Sequence, residues 1–333
     1  MKVIVPVFAN TVSASVTGIM DILNYSKSFH DQLYPHQTDR KTFEVELMSV
    51  EGSLEVDNNG FLFRCHSTLD TTAGADIVIM PALVGDVPGM VTQHGRLIAW
   101  LKTQYENGAS LCSTCNGAFF IGATGLLNGK EATTSWFSSE SFKMMFPLVN
   151  LSEERIIVDT GRIITGGATL SFTNLCIYLI EKYYGRQLGN YCAKVFLVEK
   201  GKNSQQSFSI FMAQKNHDDE EIRKAQDFIE EKATDKLSVA EVSERVTMSE
   251  RSFIRRFKAA TGNTPSEYIQ RVKVELAKRM LEEGRETVKE VSFTTGYEDL
   301  NYFRDIFKRH TGLTPIEYKK QFSFEVNEER AVS

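Results

Sequence analysis

The spacing of apolar positions changes character near residue 200. Before that point, short β-rich apolar runs alternate with stretches of helical period. The runs "VIVPVF" (3–8), "FEVELMSV" (43–50), "DIVIMPAL" (76–83) and "SLCS" (110–113) predict central strands. Their apolar side chains fall on both faces, as in parallel strands covered by helices on each side. The pattern predicts helices over 16–29, 94–106, 116–125 and 171–184. "RIIVDTGRIIT" (155–165) predicts a hairpin turning at Asp159-Thr160-Gly161. The first half is therefore expected to be α/β.

The polar stretch "EKGKNSQQS" (199–207) has no apolar period and marks a linker. Beyond about residue 218 the strand signal vanishes and only helical periodicity remains. The expected organisation is an α/β domain over 1–200, a linker over 201–217, an all-α domain over 218–322 and a frayed acidic tail over 323–333.

The all-α part repeats itself. "SFIRRFKAATGNTPSEY" (252–268) and "YFRDIFKRHTGLTPIEY" (302–318) share nine identities 50 positions apart: Phe253, Phe257, Lys258, Thr261, Gly262, Thr264, Pro265, Glu267 and Tyr268 recur as Phe303, Phe307, Lys308, Thr311, Gly312, Thr314, Pro315, Glu317 and Tyr318. Upstream, "SVAEVS" (238–243) matches "TVKEVS" (287–292) at an offset of 49, so the second turn holds one more residue. Each unit predicts a short helix (239–245, 288–295), a turn, and a longer helix capped by Ser249 or Asp299. Gly262 and Gly312 supply left-handed stops. "TPSE" and "TPIE" then read as capping boxes with proline at the first helical position. Two short helices across a tight turn, twice over, describe two helix-turn-helix motifs.

Charge sharpens this picture. The net charge is −5, yet residues 236–321 carry 17 Lys+Arg against 13 Asp+Glu, a local excess of +4. The rest of the chain is therefore at −9. A basic segment on an acidic protein points to a polyanion partner. Arg251, Ser252, Arg255 and Lys258 lie off the aromatic stripe in one unit, and Asn301, Arg304 and Lys308 do so in the other. These are the candidate DNA contacts, with residues near each helix N-terminus on base edges and the farther cations on phosphate. At these residues the segment resembles AraC/XylS-type transcription regulators: "GYEDLNYFRDIFKRHTGLTPIEY" is similar to the second helix-turn-helix signature of that family. The resemblance implies double-stranded DNA as partner.

The stretch "SLCSTCNGAFFIGATGLLNGKEATTSW" (110–136) runs from a strand through Cys115 into a turn and an apolar helix. Such an elbow holds a nucleophile exposed at a helix N-terminus. The stretch resembles the elbow of PfpI-type domains in the class I glutamine amidotransferase-like superfamily, in the subset fused to AraC-type domains as in GlxA-like regulators. "FPLVNLSEERIIVDTGRIITGGATLSFTNLCIYLIEKYYG" extends the likeness. The resemblance implies a flavodoxin-like parallel sheet with Cys115 at the nucleophile position. It also implies a histidine after "TT", where this chain has Ser135, and an acidic helper near Ser13 or Ser15, both serines. An unassisted thiol has no proton shuttle, so no catalytic residue is expected. The alternative is a cysteine-dependent hydrolase or glyoxalase-like enzyme fused to a DNA-binding domain, its base borrowed from His66 or His94. Without that chemistry the crevice at the strand ends is still a ligand site, lined by Ser15, Cys115, Asn116, Ser135 and Trp136. Cys112 and Cys115 also form a CxxC, which leaves a redox role open. No second Cys/His pair accompanies it, so neither metal nor cofactor is expected.

Hydrophobic residues make up 42% and charged residues 24% of the 333, which excludes a disordered or fibrous chain. No apolar run approaches the ~20 residues that span a bilayer. "MKVIVPVFANT" reads as a first core strand, and five unevenly spaced cysteines (65, 112, 115, 176, 192) fit a reducing compartment, so a cytoplasmic protein is expected. The expected whole is a DNA-binding transcription regulator whose first domain senses a small-molecule effector, forms a homodimer, or both.

Overall fold

A computed structural model describes residues 1–36, 42–201 and 204–323. The expected acidic tail over 323–333 thus lies almost wholly outside the described residues, as does part of the linker. The chain divides into two compact units, Met1–Gln205 and Gln206–Ser333.

In the first unit the strands are β1 (Lys2–Val7), β2 (Glu44–Ser49), β3 (Glu55–Asn58), β4 (Phe61–Arg64), β5 (Ser67–Thr68), β6 (Ile77–Met80), β7 (Ser110–Ser113), β8 (Glu131–Ala132), β9 (Asn150–Leu151), β10 (Ile157–Asp159) and β11 (Ile163–Gly166). The helices are α1 (Ser13–Leu33), α2 (Val87–Gln93), α3 (Gly95–Glu106), α4 (Ala118–Ala123), α5 (Ser139–Met145), α6 (Phe172–Tyr184) and α7 (Arg186–Val195). Seven strands form one sheet in the order β10-β11-β7-β6-β1-β2-β5. Every neighbouring pair is parallel except the β10–β11 hairpin at the edge. The chain winds both ways from β1, so the order reverses between β1 and β6, where such sheets open a crevice at their C-terminal ends.

The strands are buried on both faces, as their apolar runs require. Val3, Val5, Ile77, Ile79 and Ile164 point into a core with α1, α6 and α7. Ile4, Val78, Met80, Leu111 and Ile163 point into the opposite core with α2, α3 and α4. The helix expected over 116–125 is shorter: a 3-10 turn at Cys115–Gly117 leads into α4, which ends at Ala123. The β3–β4 hairpin, α2, α5 and α7 were not anticipated. Among the described residues no helix is long and apolar enough to cross a membrane.

The second unit is helical: α8 (Glu220–Glu231), α9 (Val239–Arg245), α10 (Glu250–Thr261), α11 (Pro265–Glu283), α12 (Val288–Thr294), α13 (Leu300–Thr311) and α14 (Pro315–Phe322). The repeat is visible in the backbone. Gly262 and Gly312 end α10 and α13 at φ 74° and 75°. Thr264 with Glu267, and Thr314 with Glu317, close reciprocal capping boxes, and so do Ser238 with Glu241 and Thr287 with Glu290. Asp299 caps α13 through Asn301 and Tyr302. Ser249 differs from expectation: it has N-cap geometry, but its hydroxyl makes no capping bond.

The repeat also reaches farther than the sequence comparison suggested. Ile222, Ala225 and Ile229 of α8 pack on the first motif as Val274, Ala277 and Leu281 of α11, 52 positions on, pack on the second. Tyr268 and Tyr318 donate matching hydrogen bonds to Glu230 and Glu282, at 2.9 and 2.6 Å. Each unit is thus four helices, and α11 serves in both.

Before the extra residue of the second turn, the two turns carry different residues at one equivalent, left-handed position. The first turn passes through Thr247 at φ 54°, a strained setting for a β-branched residue. The second passes through Gly296 at φ 75°, where an added Cβ would lie 2.6 Å from Lys273 Nζ and 2.8 Å from the Asp235 carbonyl. Gly296→Ala is expected to cost about 2–4 kcal/mol from left-handed strain plus overpacking. Thr247→Gly is expected to leave stability unchanged or raise it by up to about 1 kcal/mol. Urea denaturation midpoints of the two variants check this, and equal losses would contradict it.

Candidate functional site

The elbow is set by close backbone packing. Cys115 stands at φ 53°, the left-handed conformation that an elbow residue needs and a side chain disfavours. Gly117 makes the turn possible: a Cβ there would lie 2.6 Å from the Pro81 carbonyl and 2.7 Å from that of Met80. The thiol itself is only 5% exposed, which corrects the expectation of an exposed nucleophile. Among the described residues the hydrogen bond to Sγ comes from the Thr169 hydroxyl at 3.4 Å, a donor and not a base.

Ser15, Cys115 and Asn116 meet around residues 80–83, at the end of β6. Asn116 accepts from the Leu83 N–H at 2.8 Å and donates to the Leu83 carbonyl at 2.9 Å, so its amide clamps one backbone residue. Ser15 donates to the Val12 carbonyl and accepts from the Ala82 N–H. The Thr134 hydroxyl donates to the Cys115 carbonyl at 2.9 Å, which brings the adjacent, buried Ser135 to the same end of the sheet. Trp136 is half-buried, with its ring edge-on to the exposed Phe137. The two candidate bases are engaged elsewhere. His66 accepts from the Leu47 N–H, while His94 bonds the Met90 carbonyl and packs on Phe8.

Gln205, the last residue of the first unit, enters this region and was not anticipated. It is 2% exposed, and its amide donates to the carbonyls of Thr134 and Glu153, both at 2.8 Å. Gly167 leaves the space: a Cβ there would come within 2.8–2.9 Å of the Gln205 amide. A glutamine in a polar stretch carries no sequence signal for such burial. Hydrogen bonds therefore run from the Cys115 carbonyl through Thr134 to Gln205.

On the second unit the helix faces divide cleanly. Phe253 and Phe257 of α10, and Phe303, Ile306 and Phe307 of α13, are buried. Arg251, Arg255, Lys258, Asn301, Arg304 and Lys308 are exposed, and Ser252 is half-exposed. Several other bases are engaged in structure. Arg256 makes two hydrogen bonds to Asp219 at 2.8 and 3.0 Å, and Lys278 pairs with Glu275 inside the core. No ion pair is formed by Arg251, Arg255, Lys258, Arg304 or Lys308 among the described residues.

The two faces are not identical in register. Lys258 and Lys308 coincide, but Arg255 corresponds to Asp305 and Arg304 to Ile254. The arginine of the second face therefore stands one residue earlier than that of the first, roughly 100° around the helix, while the lysines keep register.

Two family models match the chain. The model of the DJ-1/PfpI family matches residues 1–182, and that of a helix-turn-helix domain matches residues 242–321. In Pseudomonas aeruginosa, the HTH-type transcriptional regulator CdhR is 23% identical over 294 residues, covering 88% of this chain and 84% of that regulator. GbdR is 21% identical over 277 residues, covering 83% and 74%. ArgR is 22% identical over 264, covering 79% and 76%. A solved protein from Vibrio parahaemolyticus shares the fold at a TM-score of 0.51 and 16% identity, covering 59% of this chain and 98% of that one.

All five cysteines are free and buried. Burial raises the Cys65 and Cys192 thiols to about 11 and pushes Cys112 and Cys176 higher still. The native chain is therefore expected to react only slowly with a thiol reagent at pH 8, and to show all five thiols once denatured. Fast labelling that Cys115→Ser abolishes would contradict the buried elbow.

Proposed function

The chain belongs to the DJ-1/PfpI family and carries an AraC-type helix-turn-helix domain, and on that premise we propose that it is a sequence-specific, DNA-binding transcription regulator. The observation that carries this reading is the sorting of basic side chains. Arg256 and Lys278 are held by carboxylates, while among the described residues Arg251, Arg255, Lys258, Arg304 and Lys308 stand exposed and without an ion pair on the outer faces of α10 and α13. An exposed cation without a carboxylate partner is free to neutralise phosphate or to fork onto a guanine edge. Arg255 and Arg304 are assigned to base edges, with Asn301 and Ser252 beside them. Lys258 and Lys308, near the helix C-termini, are assigned to phosphate.

The α/β unit is assigned a regulatory, non-catalytic role: sensing a small molecule at the elbow, homodimerisation, or both. Among the described residues the thiol has a hydroxyl donor beside it and no imidazole bonded to it. Asn116 and Ser15 are committed to the backbone, so they build the wall of the crevice. Ligand contact then falls to Cys115, Ser135 and Trp136. The bonds from Cys115 through Thr134 to Gln205 support a regulatory assignment, because they end on the residue that closes the first unit.

Arg255→Ala and Arg304→Ala are each expected to cost about 1–3 kcal/mol in specific binding and to relax preference at one base position. Lys258→Ala is expected to weaken all sequences alike and to flatten the salt dependence. Cys115→Ser is expected to leave DNA affinity unchanged. Fluorescence anisotropy of the full chain on a selected duplex, across a salt series, measures all four. Unchanged specific affinity in both arginine variants would remove these helices from the readout.

A further inference from the structure

Lys273 lies mid-way along α11 and is only 4% exposed. Its amine donates to the Asp235 carbonyl at 2.6 Å and to the Thr295 carbonyl at 2.8 Å. Asp235 belongs to the loop that leads into α9, the first helix of the first motif. Thr295 opens the turn between α12 and α13, inside the second motif. One buried ammonium therefore joins both motifs. The Tyr297 ring covers it, with its centroid 5.3 Å from Nζ, and at the exposed rim Lys236 pairs with Glu298 at 3.2 Å. Gly296 belongs to the same junction, since any side chain there would meet both Nζ and the Asp235 carbonyl.

A lysine costs several kcal/mol to bury and is tolerated only where its charge is well solvated by dipoles. Burial lowers its pKa here. The apolar cores of the two motifs share no side chain: Tyr268 and Ile269 of α11 serve the first, and Val274, Ala277 and Leu281 the second. The hydrophobic driving force that seats α12 and α13 on α11 is itself non-directional. Two charge-assisted hydrogen bonds to the Asp235 and Thr295 carbonyls are directional and add a geometric constraint across the two motifs.

We propose that Lys273 is a positioning residue for DNA recognition: by locking Asp235 to Thr295 it fixes how α13 sits relative to α10, and so sets the spacing between the two DNA segments that one chain reads. The inference rests on the assignment of both helices to DNA. It adds that the spacing is enforced by one side chain that touches no nucleic acid.

The test is selection of the full chain on a random duplex library, followed by sequencing. Wild type is expected to enrich two short motifs at a single spacing, and to prefer that spacing over a site one base pair longer by at least about tenfold. Lys273→Met, close in volume but uncharged, is expected to enrich the same two motifs over several spacings, with the preference reduced below about threefold. Lys273→Gln, which keeps an N–H donor, should fall between them and stands in if the methionine variant does not fold. A stability loss alone lowers the active fraction and does not broaden the spacing. Single, unchanged spacing in a folded Lys273 variant overturns the inference and leaves the DNA assignment standing. A single motif from wild type overturns the inference together with two-segment reading. No enrichment at all overturns both and the DNA assignment too.

Discussion

Neither helix-turn-helix motif closes a core without α11. Each core holds nine buried residues, and the one helix supplies Tyr268 and Ile269 to the first and Val274, Ala277 and Leu281 to the second. A four-helix unit of this size buries too little apolar surface to be robust alone. Sharing a helix doubles the use of one ordered backbone and makes the two motifs a single object. The capping boxes at Thr264 and Thr314 and the left-handed glycines at 262 and 312 then fix where each following helix starts. Those starting points decide which residues face in. Phe253, Phe257, Phe303 and Phe307 do, at about 1.5–3 kcal/mol each, and the unpaired cations are left facing out.

The first unit shows a different economy. Its elbow holds Cys115 in a left-handed backbone conformation with the thiol buried, and among the described residues the hydrogen bond to Sγ comes from the Thr169 hydroxyl. Geometry and chemistry are separable here because different residues enforce them. Gly117 against residues 80 and 81, and Asn116 clamped to Leu83, hold the turn irrespective of what stands at position 135.

Much of the fold was legible because local signals agreed with the tertiary outcome. The starts of α11 and α14 follow from the capping boxes in "TPSE" and "TPIE", and the central strands from short apolar runs. The hidden parts failed for identifiable reasons. The helix α7 begins directly after Gly185, at φ 93°, so no loop separates it from α6 in the sequence. In the β3–β4 hairpin Phe61 and Leu62 are exposed, which breaks the alternation that marks a strand. The α8 repeat of α11 escaped because it rests on apolar character at a shifted offset, with little identity. Within the site, burial of Cys115 and insertion of Gln205 depend on contacts across the sheet ends, which a linear pattern does not encode. The basic faces were visible as composition, but their difference in register appears only when Arg255 is set against Asp305.

On the proposed function, a single chain presents α10 and α13 to DNA as one rigid body. Hydroxyl-radical footprinting of the full chain on a selected duplex tests it most directly. Two helices held by α11 predict two protected groove segments per bound chain, on one face of the DNA and about 34 Å apart. Protection of one segment per chain, with the second helix leaving no footprint, would contradict it.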